Sequence, residues 1–485
     1  MRTRRLAAVI SALLVGLQLT ACSDMGLTAA PAPTLIPHEP QRTQSVLPMR
    51  AFTKTVGMYY PRMDMSDLER KPMEIVCEEG LWLPEVLVHG LLEPVGDPTL
   101  YNLFGGAAQL NSITSCSGML IVDLDYPEKV NDRELFASVL AMSRTLSLEA
   151  GAKSVLYLHN GSRIPMKGLI SNPMSADLSL STDTWTLQKF YLENGYFGAQ
   201  FGGSYTPQEE QQMLFYADAS GQHILCESLV IPTRRMSASL VDLLLSREPA
   251  DGQGSLAERY GLTLASFSFL QEDVSCARVE LLTDLDCREE YPMIRDLCAL
   301  NLRMNDEKIK TVEIFVNGEP LQDEPYDASS ARDRFGESMT LYFLKPEAGA
   351  LVASSRVVSF AQSISPTAWM QALLEGPGAY DEPGLVGTFP EGIGAQDLIR
   401  VETDGMNAVV DLSARFSEAY PWDDPFMEKM MIYSAVNTLT RDNWIQQVIF
   451  RVEGQQLDHL GGELYLGTPL LSNPGLVVYE PDEKE

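Results

Sequence analysis

Basic charge and histidine are what this 485-residue chain is short of: 36 Lys and Arg stand against 66 Asp and Glu, the formal net charge is −30, and there are five histidines. The charge deficit excludes nucleic-acid binding, which needs basic surface to displace counterions from phosphate. It also disfavours extended contact with anionic lipid headgroups. His38, His89, His159, His223 and His459 form no His-Glu-x-x-His zinc motif, and no Gly-x-Ser-x-Gly nucleophile turn accompanies them. Phosphate loops of the Gly-x-x-x-x-Gly-Lys type are missing, since Gly202-Gly203-Ser204 has no lysine after it. Carboxylates are plentiful, and the pairs Asp123 with Asp125 and Asp284 with Asp286 have the i, i+2 spacing that shares one face of a strand. An acidic chain yields such pairs by chance, and no calcium-loop pattern surrounds them. The expectation is therefore no catalytic site, no cofactor and no metal site.

A run long enough to cross a bilayer is also missing. The uncharged apolar stretch at 6–19 is shorter than the roughly 20 residues of a spanning helix, and it follows Arg2, Arg4 and Arg5, which is export-signal anatomy. Leu19-Thr20-Ala21-Cys22 comes directly after it and resembles the bacterial lipobox, in which small residues fit a peptidase cleft and the thiol accepts a diacylglycerol. That resemblance implies a signal peptide over 1–21 and lipid attachment at Cys22, with two or more acyl chains giving stable anchoring where a single chain would not. The expected location is the outer face of the cytoplasmic membrane, which makes that membrane the first partner. Residues 22–50, with Pro31, Pro33, Pro37 and Pro40 among small and polar residues, read as a tether.

Cysteine is sparse: seven in all, of which Cys77, Cys116, Cys226, Cys276, Cys287 and Cys298 remain once Cys22 is lipidated. Outside the cytoplasm an even number permits disulfides, but the sequence does not choose among the pairings. Cys276, Cys287 and Cys298 lie eleven residues apart, unlike any Cys-x-x-Cys zinc pattern, and read as buried thiols or disulfide partners.

What is present is an ordinary globular composition, 45% hydrophobic and 21% charged, in a chain long enough for several domains, and an internal repetition. Three blocks run in the same order. Each opens with an apolar-aromatic strand: Met58-Tyr59-Tyr60, Leu214-Phe215-Tyr216 and Leu341-Tyr342-Phe343. Paired leucines of a helical segment follow, ending 32, 29 and 31 residues after the strand, at Leu92, Leu245 and Leu374. Next come Val122-Asp123-Leu124, Val279-Glu280-Leu281 and Val410-Asp411-Leu412. A second amphipathic helix follows, with apolar residues at helical spacing: Leu135, Val139, Met142 and Leu146; then Met293, Leu297, Leu300 and Met304; then Phe426, Met430, Tyr433 and Leu439. In the third block Asp424 and Pro425 read as an N-cap and a proline-compatible first turn.

Each block closes on a β-branched strand and a glycine turn, and from Asp123, Glu280 and Asp411 to Gly161, Gly318 and Gly454 the distances are 38, 38 and 43 residues. The acidic residue at this landmark reads as structural, at a strand end. The exits rhyme as well, with Leu169-Ile170-Ser171-Asn172-Pro173 after the first block and Leu470-Leu471-Ser472-Asn473-Pro474 after the third. This order implies an α+β fold in tandem repeats, each a small sheet covered on one face by two helices, with the opposite face and the sheet edges left available.

The repeats resemble the GerMN domain of sporulation and spore-germination lipoproteins. The third block carries the resemblance best, from Trp369-Met370-Gln371-Ala372-Leu373-Leu374-Glu375-Gly376-Pro377 through Phe389-Pro390-Glu391-Gly392 and Val409-Val410-Asp411-Leu412-Ser413 to Ala435-Val436-Asn437-Thr438-Leu439-Thr440. The first block lacks the proline before the equivalent turn, and the second has Glu280 for the aspartate. The expected organisation is a first repeat at 51–175, a linker at 176–208, a second repeat at 209–325, a linker at 326–337, a third repeat at 338–475 and an acidic tail at 476–485. The resemblance implies a fold similar to ring-building domains and a non-enzymatic scaffold whose partners are envelope or sporulation proteins. The alternative is a lipoprotein that captures a cell-wall fragment or a transported solute. The run at 185–201, with Trp185, Phe190, Tyr191, Tyr196 and Phe197, is an aromatic surface candidate or a packed segment.

Overall fold

The computed structural model describes residues 52–77, 82–164, 172–175, 209–232, 237–248, 254–270, 272–306, 308–379, 381–404, 406–419, 424–441, 445–456, 458–459 and 462–478. Signal, tether, aromatic run and acidic tip fall outside them; elements are numbered among the described residues. Those within 49–485 belong to one compact unit.

The architecture is α+β and is built three times. The first repeat comprises β1 (Phe52–Pro61), β2 (Leu68–Cys77), α1 (Leu83–Leu92), β3 (Gln109–Cys116), β4 (Met119–Asp125), α2 (Asp132–Ala150), β5 (Ser154–His159), β6 (Ser162–Arg163) and β7 (Met174–Ser175). The second comprises β8 (Glu209–Ala217), β9 (Ile224–Pro232), α3 (Ser237–Ser246), α4 (Leu256–Tyr260), β10 (Thr263–Phe269), β11 (Cys276–Leu282), α5 (Tyr291–Asn305), β12 (Thr311–Val316) and β13 (Glu319–Pro320). The third comprises β14 (Gly336–Lys345), β15 (Ala350–Ser359), α6 (Phe360–Ser363), α7 (Pro366–Glu375), β16 (Leu398–Asp404), β17 (Asn407–Leu412), α8 (Ala414–Ala419), α9 (Pro425–Leu439), β18 (Gln447–Val452), β19 (Gln455–Gln456) and β20 (Leu470–Leu471).

Each repeat has a mixed sheet in which the central pair, β4 with β5, β11 with β12 or β17 with β18, is parallel. Parallel neighbours need a long crossover, and the amphipathic helices α2, α5 and α9 supply it. Their ends follow from local chemistry. Asn131 and Glu134 form a capping box at the start of α2, and Gly151 closes it in the left-handed region. Asp424 accepts from the backbone N–H groups of Phe426 and Met427, with Pro425 in the first turn, as the sequence predicts. Phe426 itself points outward and is not part of the buried stripe.

The opening strand of each block does not join the mixed sheet. It pairs in an antiparallel hairpin, β1 with β2, β8 with β9 and β14 with β15. The other edge of that hairpin is satisfied by the crossover helix: the N–H groups of Tyr59, Phe215 and Tyr342 donate to Thr145 Oγ1 (3.0 Å), Asn301 Oδ1 (3.0 Å) and Thr438 Oγ1 (3.2 Å). Buried backbone donors need partners, so a short polar side chain faces the hairpin from the crossover helix in all three repeats. The same threefold regularity marks the outer strand, where β3, β10 and β16 carry a bulge at Leu110/Ser112, Leu264/Ser266 and Leu398/Arg400.

The outer face of the first sheet is not available as expected. Strand β4 is buried on both sides except at its last residue; Leu120, Val122 and Leu124 enter the core of the first repeat, while Met119, Ile121, Leu156 and Leu158 pack with the core of the second. The sequence carries this difference. Strand β5 reads Val-Leu-Tyr-Leu without interruption, as strands buried on both faces do, whereas β12 and β18 alternate buried and half-buried positions. The rhyming exits are not equivalent: β7 follows Asn172-Pro173, whereas β20 precedes Asn473-Pro474, so the shared letters serve different pairings. Asp284 and Asp286 lie in a bend after β11 and not on a strand.

Candidate functional site

The strand-end acids are the one repeated feature that the sequence marks with a polar residue, and they are built into a turn. Asn160-Gly161, Asn317-Gly318 and Glu453-Gly454 each take two consecutive positive φ values, 50° and 78°, 51° and 80°, and 50° and 79°, the pattern of a two-residue type I′ hairpin. Asp123 accepts from the Gly161 N–H at 2.9 Å, and Asp411 accepts from the Gly454 N–H at 2.8 Å. Both carboxylates are buried. Glu280, one methylene longer, is turned toward Ser266 Oγ at 3.4 Å, and the second turn is held by Asn317, whose side chain bonds the N–H and carbonyl of Thr283.

Each aspartate also meets an arginine, but from different places. In the third repeat Arg400 stands opposite Asp411 in the β16–β17 register and pairs with it at 3.5 Å. In the first repeat Ser112 stands opposite Asp123. The cation arrives from 209 residues away: Arg332, in the segment leading into the third repeat, bonds Ser112 Oγ at 3.0 Å and Asp123 at 3.2 Å. Asp411→Ala removes a buried acceptor and leaves the Gly454 N–H unsatisfied, while Arg400 keeps Glu402 at 2.8 Å, so it is expected to destabilise the third repeat by about 1–3 kcal/mol, read as a lower thermal midpoint; a change inside experimental error would contradict the structural role.

Arg332 is part of a junction where all three repeats meet. The turn after β3 donates from Ser117 N–H to the Gly336 carbonyl (3.0 Å) and from Gly118 N–H to the Glu337 carboxylate (3.0 Å). Arg303 of α5 reaches the Gly161 carbonyl at 3.4 Å and Lys310 reaches Ser162 Oγ at 2.7 Å. Phe335 is fully buried against Phe215, ring centroids 6.0 Å apart, and its neighbourhood bridges to Ile224. Residues 326–337, a linker in chain order, are thus a packed wedge. The turn after the edge strand β3 is engaged by this junction, and β3, β10 and β16 each pair with one strand only among the described residues.

The remaining sequence candidates are dispersed. Cys22 and His38 lie outside the described residues. His89 and His459 are exposed. His159 stacks on Tyr126 with centroids 4.1 Å apart and lies 3.5 Å from Asp125. Cys276, Cys287 and Cys298 are separate buried thiols; burial alone pushes Cys298 up to about 12. Among the described residues no group of three or more His, Cys, Asp or Glu is placed to hold a metal ion, and no helix is long and apolar enough to cross a membrane.

His223 closes the β8–β9 turn with Asp218, which accepts from Ser220 Oγ, the Gln222 and His223 N–H groups and the His223 ring. Burial pushes the Asp218 carboxyl up, but the bonds from His223 and Ser220 outweigh it and hold it at about 2. The folded value is below the unfolded one, near 4. Its contribution is therefore present above about pH 4 and lost as pH falls toward 2. Urea midpoints measured across that window are expected to fall more steeply for the native protein than for Asp218→Asn, itself destabilised by about 1–2 kcal/mol at neutral pH.

With the geometry in place, comparison is informative for the last block. The Germane family, described as "Sporulation and spore germination", matches residues 340–458. The third repeat belongs to the Germane family. This Germane repeat runs from within β14 to just beyond β19, so the matched segment contains most of the hairpin, both principal helices, the mixed sheet apart from β20, and Asp411 with its turn. No curated protein matches the chain. Among solved structures it is similar to the tandem GerMN domains of the sporulation protein GerM from Bacillus subtilis, at 15% identity over 55% of this chain and 99% of that one, TM-score 0.22. It is similar to the first GerMN domain of the same protein at 19% identity, covering 28% of this chain and 96% of that one, TM-score 0.22. A candidate lipoprotein from Clostridium perfringens is 22% identical over 30% of this chain and 93% of its own, TM-score 0.20.

Proposed function

We propose that the protein is a non-enzymatic lipoprotein, anchored through Cys22 on the outer face of the cytoplasmic membrane, that binds envelope proteins during sporulation or spore germination. The Germane match at 340–458 carries this reading. Two further features support it. Asp123 and Asp411, which recur between the first and third repeats, are each consumed in a turn and an ion pair, which leaves them no reacting group to activate. Among the described residues strands β10 and β16 pair on one side only, and Ile399 on β16 is exposed; such edges take an added strand from a partner. Nucleic acid is not among the partners, given the acidic charge.

The test is affinity capture of the tagged full-length protein from its host after mild crosslinking, during growth and during spore formation. Recovery of envelope or sporulation proteins is the expected result. An Ile399→Lys variant, whose fold is checked by circular dichroism, is expected to reduce that recovery by about tenfold, since a charge on an edge opposes strand addition. Capture of a permease alone, or of cell-wall fragments, would instead support solute or fragment binding. That second reading has one observation in its favour, a cavity of about 300 Å³ in the third repeat lined by Ser338, Thr340, Ser363, Trp369, Thr438 and Arg441.

A further inference from the structure

Five of the cysteines are buried free thiols, and two of these face each other across a boundary between repeats. Cys116 ends β3 of the first repeat and Cys226 lies in β9 of the second. The Cys116 thiol donates to the Ile224 carbonyl at 3.3 Å, and the Cys226 thiol donates to the Cys116 carbonyl at 3.0 Å. Their backbones are held together as well, because the Cys226 N–H donates to Ser117 Oγ at 2.9 Å. Cys276, Cys287 and Cys298 show no such partner: Cys298 is enclosed in α5, and the other two face charged groups and Thr311.

We infer that Cys116 and Cys226 close a disulfide that fastens the first repeat to the second. The inference rests on the export reading, because such bonds persist outside the cytoplasm and are reduced within it. The step needs an oxidant, a disulfide-bearing exchange partner: a thiolate attacks it, the mixed disulfide is attacked by the second cysteine, and two thiols leave carrying the electrons and protons of the pair. Burial, and then the hydrogen bond that the Cys116 thiol gives to the Cys226 side chain, push the Cys116 thiol well above its ordinary value. A protonated thiol is a poor nucleophile, so closure belongs to folding, before the third repeat seals the junction with Gly336 and Glu337. Once formed, the bond is shielded by the same packing.

The experiment uses the full-length mature lipoprotein in detergent, unfolded and reduced, then refolded in a glutathione and glutathione-disulfide buffer, acid-quenched, alkylated in denaturant without reductant and digested. Mass spectrometry is expected to find the Cys116 and Cys226 peptides joined, with Cys77, Cys276, Cys287 and Cys298 alkylated. Recovery of Cys116 and Cys226 both alkylated, or of either joined to another cysteine, overturns the pairing in any compartment. The same alkylation on acid-quenched host cells separates the two premises. A joined pair there supports both, whereas free thiols in cells from a protein that pairs in the buffer overturn the export reading and not the pairing.

Discussion

Replacing Cys22 with alanine is expected to abolish fatty-acid labelling of the protein and leave its leader uncleaved. The lipobox thiol is the only atom to which the diacylglycerol could be attached in Leu19-Thr20-Ala21-Cys22, so the effect is all or none and not graded. Each buried acyl methylene contributes about 0.8 kcal/mol to membrane affinity, and one chain alone gives only reversible binding. The native protein should therefore need detergent for release, carry label, and begin at Cys22 by mass. The variant keeps an apolar leader at 6–19 that is too short for a stable span, so fractionation alone would blur the result; the label and the N-terminal mass do not. Native protein without lipid, or label that survives the substitution, would remove the anchor from the proposed function and leave an exported protein without a membrane partner.

How far the sequence can be read depends on the range of the interactions involved. The paired leucines, the helical stripes, the Asp424 cap and the glycine turns are local patterns, and apart from the exposed Phe426 each appears where periodicity and turn chemistry put it. The role of Asp123 and Asp411 was legible because a fixed spacing to a glycine is itself a geometric statement, and the bond from that glycine N–H is what the spacing encodes. The partner strands β2, β9 and β15 escaped the repeat comparison. They are half exposed and charged in places, as in Leu68-Glu69-Arg70-Lys71, and share no landmark. Arg332 was invisible for a different reason. It replaces, across 209 residues, a cation that the third repeat carries at Arg400 in its own edge strand, and only packing reveals that substitution. The Leu-x-Ser-Asn-Pro exits show the opposite error, four shared letters followed by the paired strand β7 in one copy and preceded by β20 in the other, because so short a motif does not fix register.

Phe335→Ala is expected to cost about 3–5 kcal/mol, the range for emptying a fully buried aromatic site, and to do so in a repeat to which the residue does not belong in chain order. Phe335 precedes β14, yet its ring is packed in the core of the second repeat against Phe215, while its carbonyl accepts from the Phe360 N–H of the third. Removing the ring should therefore lower the stability of the second repeat and loosen its hold on the third at once. Differential scanning calorimetry would show one cooperative transition in the native protein separating into two in the variant. Phe343→Ala is the control, since that ring is equally buried but lies within the third repeat's own core; it should cost a similar amount and shift the third repeat without uncoupling the second. If both variants merely lower a single transition, the three repeats unfold as one unit whatever contact is cut. If only Phe335→Ala divides it, the wedge at 326–337 is what makes three tandem repeats behave as one body, and partner binding at the open edge of the third would be felt by the second.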